Sequence, residues 1–586
     1  MLLGRRLLPF AETEMKDTVL ESYLHSFAEQ YEISSLKDDE KFEHFVNFCI
    51  VSKQYPRNFD FEDASLGGGD DAGLDGAAVI INGIFVTTPE QVREVAKRNG
   101  YLDVDFYLIQ SKSSSKFKGD QVGTFLFGVK SLFDEAPSMP ENDSIQKLRR
   151  IREAVYELSI QFTKLPSLNM YFVTTGEWKD PDPIRGRAAR ELRELGQRKM
   201  LSNQDLHFID ADKLKSIFRE LQRRVVKEIR LDYQTALPEM DGVTRSFLGA
   251  LRAKDFVLLL SDDEGNLQKS LFYDNVRDFQ GHNAVNREIH ETLSNPVKQT
   301  RLALLNNGVT IISKQIEQIG SKLKLSDFQV VNGCQTSNIV FEQRAILSEQ
   351  TYVPVKIIET NDPDIITEVV EATNSQTEVK REAFESLRPF HKELEEYYNS
   401  RTKKSAFPIY YERRSKQYQH LPAIKPNHVI TLAAQVKAYV ATFLRQPHSN
   451  HRYYGELLDS YREKLFVAEH DPIGYYTSSL LFQRISHLFE NRRIDRKYKD
   501  YKFHLMLLIT SANVRTQALS GKEFNAQCEA SLTAFDDRNR LLDFVTDATK
   551  RLDSVLAKSK LSSEVAVRSK EFTNLLVPNA SKASAV

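Results

Sequence analysis

Cysteine is scarce: the 586 residues include only Cys49, Cys334 and Cys528. Three scattered thiols cannot build a disulfide framework or a thiolate zinc site, which excludes the small secreted scaffolds and points to a reducing cytoplasm. A surplus of either charge is also missing, since 80 Lys+Arg face 81 Asp+Glu. No global basic field draws polyanions, so any nucleic-acid surface has to be a local patch. No run approaches the ~20 apolar residues of a membrane helix. The opening Met1-Leu-Leu-Gly-Arg-Arg-Leu-Leu-Pro-Phe10 is interrupted by Arg5 and Arg6 and does not read as a secretory signal. A soluble chain without a membrane partner is the expectation. The Gly-Lys-Ser/Thr phosphate loop of an ATP motor is absent, as are internal repeats. His448 and His451 lie close together, but no cysteine or further histidine stands near them to complete a zinc site.

What is present is an ordinary globular composition, 41% hydrophobic and 27% charged. At about 150 residues per domain, the length suggests roughly three or four units. The pattern divides into 1–235, 245–430 and 431–586, with Leu237-Pro-Glu-Met-Asp-Gly242 as a linker. The fold class expected is α/β and α+β multidomain: an α/β core first, a mixed α/β middle and a helical end. In the last part, the stretches beginning at Val429, Ser478 and Phe503 carry apolar residues at three- and four-residue steps, the mark of a helical bundle. Between two of them, Asn491-Arg-Arg-Ile-Asp-Arg-Lys-Tyr-Lys-Asp-Tyr-Lys502 mixes bases with tyrosines and reads as a solvated interhelical segment.

Chemistry concentrates near the start. Gly67-Gly-Gly-Asp-Asp-Ala-Gly-Leu-Asp75-Gly precedes two apolar runs that flank Asn82-Gly83, a strong two-residue hairpin signal. Val104 to Ile109 reads as a third, buried strand. With side chains alternating, Phe106, Leu108, Gln110 and Lys112 share one face, apolar first and polar at its end. Phosphodiester hydrolysis asks for a carboxylate to hold a divalent ion, a second oxygen ligand, and a cation near the attacking water and the phosphorus. Asp75, Gln110 and Lys112 could supply one each. Asp39 stands near the N-terminus of a helix that buries Phe42, Phe45, Val46 and Cys49, and Glu43 borders that stripe.

Gly-Leu-Asp75-Gly with Gln110-Ser-Lys112 resembles the acid and (D/E/Q)-x-K elements of the PD-(D/E)XK nuclease superfamily, in its Mrr-like branch. The resemblance implies a restriction-endonuclease-like core and a Mg²⁺- or Mn²⁺-dependent endonuclease. Asp75, Gln110 and the Ser111 carbonyl would hold the metal, and Asp75, Gln110, Lys112 and Glu43 would form the catalytic set. Position 110 departs from the usual acid, and a neutral amide is a weaker ligand for a hard cation. Lys116 and Lys118, just beyond, could neutralise backbone phosphates.

The middle is rich in asparagine and glutamine at the ends of apolar runs. Four blocks, Arg277 to Ile289, Leu302 to Ile312 with Asn306-Asn307-Gly308, Phe328 to Thr336 with Val331-Asn332-Gly333-Cys-Gln335-Thr336, and Ala372-Thr-Asn374-Ser-Gln376, are similar to the abortive-infection phage-resistance (AIPR) family. The similarity extends through Tyr410-Tyr-Glu412-Arg413. A ligand site is expected from Asn306, Asn307, Asn332, Gln335, Thr336, Asn374, Gln376 and Arg413, because amides donate and accept together. The two resemblances imply an antiphage defence nuclease, acting on DNA in preference to RNA, under control of the AIPR part. A phage-derived trigger or regulatory protein would be its partner, and a homo-oligomer is compatible. The alternatives are a non-catalytic nucleic-acid sensor on a degenerate nuclease fold and a modification-dependent restriction endonuclease.

Overall fold

Asn82 and Gly83 both take positive φ, 50° and 76°, as a type I′ turn demands. They fold β1 (Gly76–Ile81) against β2 (Ile84–Val86) with Ile81 opposite Ile84. The computed structural model describes residues 17–55, 57–272, 284–374, 385–386, 388–413, 417–419, 421, 423–516 and 518–577. In it the chain is mixed α/β.

The first sheet adds β3 (Val104–Lys112), β4 (Ser167–Thr174) and β5 (Asn203–Ile209) in the order β2-β1-β3-β4-β5. β1 runs antiparallel to β2 and β3, while β3, β4 and β5 are parallel. Both faces of β3 are covered. Tyr107 and Ile109 pack with the helices Thr18–Gln30, Asp38–Gln54 and Ala211–Gln222. Phe106 and Leu108 pack with the helix Gly119–Leu132 and its neighbours. A strand buried on both sides can be polar only where the covering layers stop, which is where Gln110 and Lys112 stand.

The second sheet contains β6 (Val226–Arg230), β7 (Tyr233–Ala236), β8 (Arg245–Arg252), β9 (Val309–Ile319), β10 (Lys322–Asn332) and β11 (Tyr352–Glu359), ordered β6-β10-β9-β11-β8-β7. β6 and all but the last residue of β7, inside the span 1–235, therefore pair with the second sheet and not the first. Residues 237–242, expected as a linker, connect the antiparallel neighbours β7 and β8 of one sheet. The third unit has a helical core of Leu394, Tyr398, Tyr439, Leu480 and Phe535 with the short parallel pair β12 (Tyr410–Glu412) and β13 (Val429–Thr431). That core begins at Phe390, within the span 245–430.

The third unit leans on the first through ion pairs: Arg452 with Glu94 at 2.7 Å, Arg568 with Glu90 at 3.2 Å and Arg492 with Glu62 at 2.9 Å. Among the described residues no helix is long and apolar enough to cross a membrane.

Candidate active site

The register Gly76↔Ile109 sets Asp75, one residue before β1, against Gln110 at the polar end of β3. The Asp75 amide donates to the Ile109 carbonyl at 2.9 Å. The Asp75 carboxylate then lies where β3 ends. Its Oδ2 accepts from Gln110 Nε2, from the Ser111 amide at 2.7 Å and from Ser111 Oγ at 3.1 Å. Lys112 Nζ is 3.7 Å from the same oxygen. Asp75, Gln110 and Ser111 are buried, whereas the Lys112 side chain is about a third exposed. Three donors and a cation thus converge on one carboxylate at the rim of the core.

Glu43 is a wall of the same site. Its Oε1 accepts from Ser65 Oγ at 2.5 Å. Burial, and then the Asp75 charge, push Glu43 up to about 7, against the Ser65 hydrogen bond and the charge of Arg496. Asp71 is raised too, by burial and by Asp75, although its Oδ1 accepts from the Gly73 amide at 2.8 Å.

The glycine-rich loop earns two of its glycines by close approach. A Cβ on Gly67 would stand 2.7 Å from both Glu43 carboxylate oxygens, and one on Gly76 would stand 2.1 Å from Asn47 Oδ1. Asn47, one helical turn after Glu43, donates to the Asp75 carbonyl at 3.3 Å. It was missed in the sequence, although its i+4 spacing from Glu43 was a usable signal. Ser65 and Arg496 were missed as well.

The two carboxylates, in mutual repulsion, are the hard oxygens a divalent cation prefers, while Gln110 turns its NH₂ group to Asp75. Among the described residues no three His, Cys, Asp or Glu side chains gather closely enough to hold a metal ion by themselves. An ion at Asp75 and Glu43 would therefore complete its shell with Gln110, Ser111 and water. Lys116 and Lys118 are exposed between β3 and the helix Gly119–Leu132, and Lys118 is that helix's N-cap.

The predicted ligand residues of the middle unit separate into two groups. Asn306, Asn307, Asn332, Gln335 and Thr336 line one cavity of about 660 Å³, with Lys298 and Arg301 at its side. The two motif loops meet there: a Cβ on Gly333 would be 2.9 Å from the Gly308 carbonyl. Several of the amides bind protein groups. Asn306 donates to Thr336 Oγ1 at 3.0 Å and accepts from the Gly308 amide at 2.8 Å, Asn332 donates to the Thr373 carbonyl at 2.7 Å, and Gln335 accepts from Asn286 at 2.7 Å. Arg413 is not in this group. From just after β12 it pairs with Glu395 at 2.9 Å and stands 3.7 Å from Asp364, so it bridges the helices Pro389–Arg401 and Pro363–Asn374. Asn374 is the last residue of the helix Pro363–Asn374, and Gln376 lies outside the described residues.

His448 and His451 have structural partners: His448 Nδ1 is 3.0 Å from Thr573 Oγ1, and the His451 carbonyl accepts from Thr88 Oγ1 at 2.7 Å.

The molecule is thus a multidomain α/β protein with an acid–amide–lysine centre in its first unit. A family model described as AIPR protein matches residues 272–569, just over half of the chain, and the chain belongs to that family. The match takes in both motif loops and nearly all of the helical unit, and it leaves the first unit outside. No curated protein and no solved structure matches the chain.

Proposed function

We propose that this AIPR protein serves antiphage defence by abortive infection and that its first unit is a divalent-metal-dependent nuclease of the PD-(D/E)XK kind, acting on DNA in preference to RNA. The observation that carries the reading is the convergence of Gln110, Ser111 and Lys112 on the single carboxylate of Asp75. Asp75 and Glu43 would hold Mg²⁺ or Mn²⁺, with the Gln110 amide oxygen and the Ser111 carbonyl beside them. The ion would supply Lewis-acid polarisation of the scissile phosphate and an acidified water. Lys112, partly exposed and close to Asp75, stabilises a hydroxide and the negative charge that grows on the phosphate. Lys116 and Lys118, both exposed, neutralise flanking phosphates. The cavity between the motif loops, with Lys298 and Arg301 on its edge, is the candidate seat of a regulatory ligand.

One contact favours a second reading. Gln110 satisfies Asp75 through its NH₂ group, which is how a non-catalytic fold that grips nucleic acid without cutting would keep a buried carboxylate content. Full-length protein incubated with plasmid DNA and with RNA in Mg²⁺ or Mn²⁺, beside Asp75→Ala and Lys112→Ala, separates the two. The nuclease predicts cleavage that each substitution lowers by at least about a hundredfold. Cleavage retained by both variants would refute it, and metal-independent binding without cleavage would favour the sensor.

A further inference from the structure

The segment 491–502 of the third unit was expected to be solvated, yet bases within its residues 492–502 lie against the wall of the candidate active site. Arg492 Nη1 is 2.9 Å from Glu62 Oε1, and its Nε is 3.3 Å from Glu40. Arg496 reaches Glu62 Oε2 and Ser65 Oγ, both at 3.4 Å, and its Nη1 donates to the Gly67 carbonyl. Lys499 donates to the Glu62 carbonyl at 2.5 Å, and Lys502 stands 3.8 Å from Asp60. Four bases of one short segment thus hold the stretch 60–67.

That stretch backs the centre directly. Ser65 donates to Glu43, the Leu66 amide donates to the Asp75 carbonyl at 3.0 Å, and Ser65 bridges to Gly76. Arg496 is therefore two hydrogen bonds from Glu43, by way of Ser65, and its charge reaches that carboxylate. A guanidinium there does two things. It places positive charge beside the acids that would otherwise draw a cation, and it pins the Ser65 and Gly67 wall.

We propose that the 492–502 segment is a built-in restraint, in which Arg496 competes with a divalent cation for the Glu43 end of the centre and holds the glycine-rich wall shut until the third unit is displaced. The inference rests on the nuclease reading of Asp75 and Glu43. It puts control of the centre in the helical part of the AIPR region, with the trigger acting by pulling the two units apart.

The test uses the full chain and measures Mn²⁺ affinity by calorimetry, with plasmid cleavage alongside. Arg496→Ala should bind Mn²⁺ about tenfold more tightly than the unmodified chain, the order expected when one unit charge leaves the neighbourhood of a divalent ion in a partly solvated site. Cleavage should rise in parallel, while Arg496→Lys, which keeps the charge but not the fork that reaches both Ser65 and Gly67, should tighten Mn²⁺ binding by less than Arg496→Ala does. Lys497→Ala, which removes an exposed base of the same segment that lies over the Tyr498 ring, should leave Mn²⁺ affinity unchanged and guards against a general loosening. Hydrogen exchange over residues 62–69 should quicken in Arg496→Ala and report the freed wall in a chain that remains folded. Equal or weaker Mn²⁺ binding by Arg496→Ala, with Asp75→Ala abolishing it, would overturn the restraint and leave the nuclease reading standing. Binding that survives Asp75→Ala would overturn the reading beneath it, and the restraint with it.

Discussion

Gln110→Glu restores the acid that the nuclease pattern usually carries, and its cost can be worked from the contacts. The wild-type amide donates to Asp75 Oδ2 inside a buried cluster. An ionised glutamate would forfeit a hydrogen bond to a charged group, about 2 kcal/mol, and add like-charge repulsion of about 4 kcal/mol at 4 Å in an effective dielectric of 20. Protonation is cheaper. Holding a carboxyl of ordinary pKa near 4.3 neutral at pH 7 costs about 3.5 kcal/mol, and at pH 5 only about 1 kcal/mol. Without metal, Gln110→Glu should therefore be about 3 to 4 kcal/mol less stable at pH 7, roughly a 10 °C drop for a unit of this size, and close to wild type at pH 5. A divalent ion held by the two carboxylates would offset most of the penalty. At a hundred times its dissociation constant it returns about 2.7 kcal/mol, so the variant should gain more from Mn²⁺ than wild type does. Thermal melting followed at both pH values, with and without Mn²⁺, reads all of this. A variant that melts with wild type at pH 7, or that does not recover at pH 5, would refute the placement of residue 110 against Asp75.

Two more substitutions test neighbouring parts of the same construction. Gly128 lies inside the helix Gly119–Leu132, where alanine would ordinarily stabilise by up to about 1 kcal/mol. Here its Cβ would meet the Ala72 carbonyl at 1.8 Å, so Gly128→Ala should destabilise by about 3 kcal/mol in urea unfolding and lower Mn²⁺ affinity through the loop that leads to Asp75. A stabilised variant would disprove that packing. His44 concerns the interface. Burial holds it down to about 4, Arg492 and Arg496 reinforce the effect, and Glu62 opposes it. The folded state keeps the imidazole neutral while the unfolded chain protonates below about 6.5, so stability is lost as pH falls through the window from 6.5 to 4. By pH 4.5 that loss amounts to about 2 to 3 kcal/mol. His44→Gln should lose correspondingly less between pH 7 and 4.5, and equal losses would contradict the buried neutral histidine.

The centre was legible because its contacts are local in the sheet. Asn82-Gly83 sets the hairpin, the two-residue period sets which face Gln110 and Lys112 occupy, and the β1–β3 register brings Asp75 beside them. β6 and β7 obey the same period, yet β6 pairs with β10 about a hundred residues later. Nothing in a short apolar run names so distant a partner, so the two strands read naturally as the end of the first unit. The amides around Asn306 and Asn332 show the complementary limit. Residue type says that a group can donate and accept, but whether a ligand or a neighbouring loop takes those bonds is settled only by what folds next to it.

The 492–502 segment misled for a reason that can be stated energetically. Taken singly, both it and the acidic stretch 60–63 are short charged runs, and solvent is the cheapest environment for either, since moving one into a protein interior unpaired costs several kcal/mol per charge. Only together does burial become affordable, and Glu62 records the outcome. Burial alone would raise its pKa, but His44, Lys499, Arg492 and Arg496 bring it down to about 2. A site that places so many bases against one acid is costly to break from one side, because removing either partner strands the other in a buried place. On the restraint proposed above, the third unit would therefore not slide off gradually: it would be either seated, with Arg496 at the Ser65 wall, or displaced far enough for water to reach Glu62. Two discrete positions of that kind would suit the proposed nuclease, which would have to stay silent before infection.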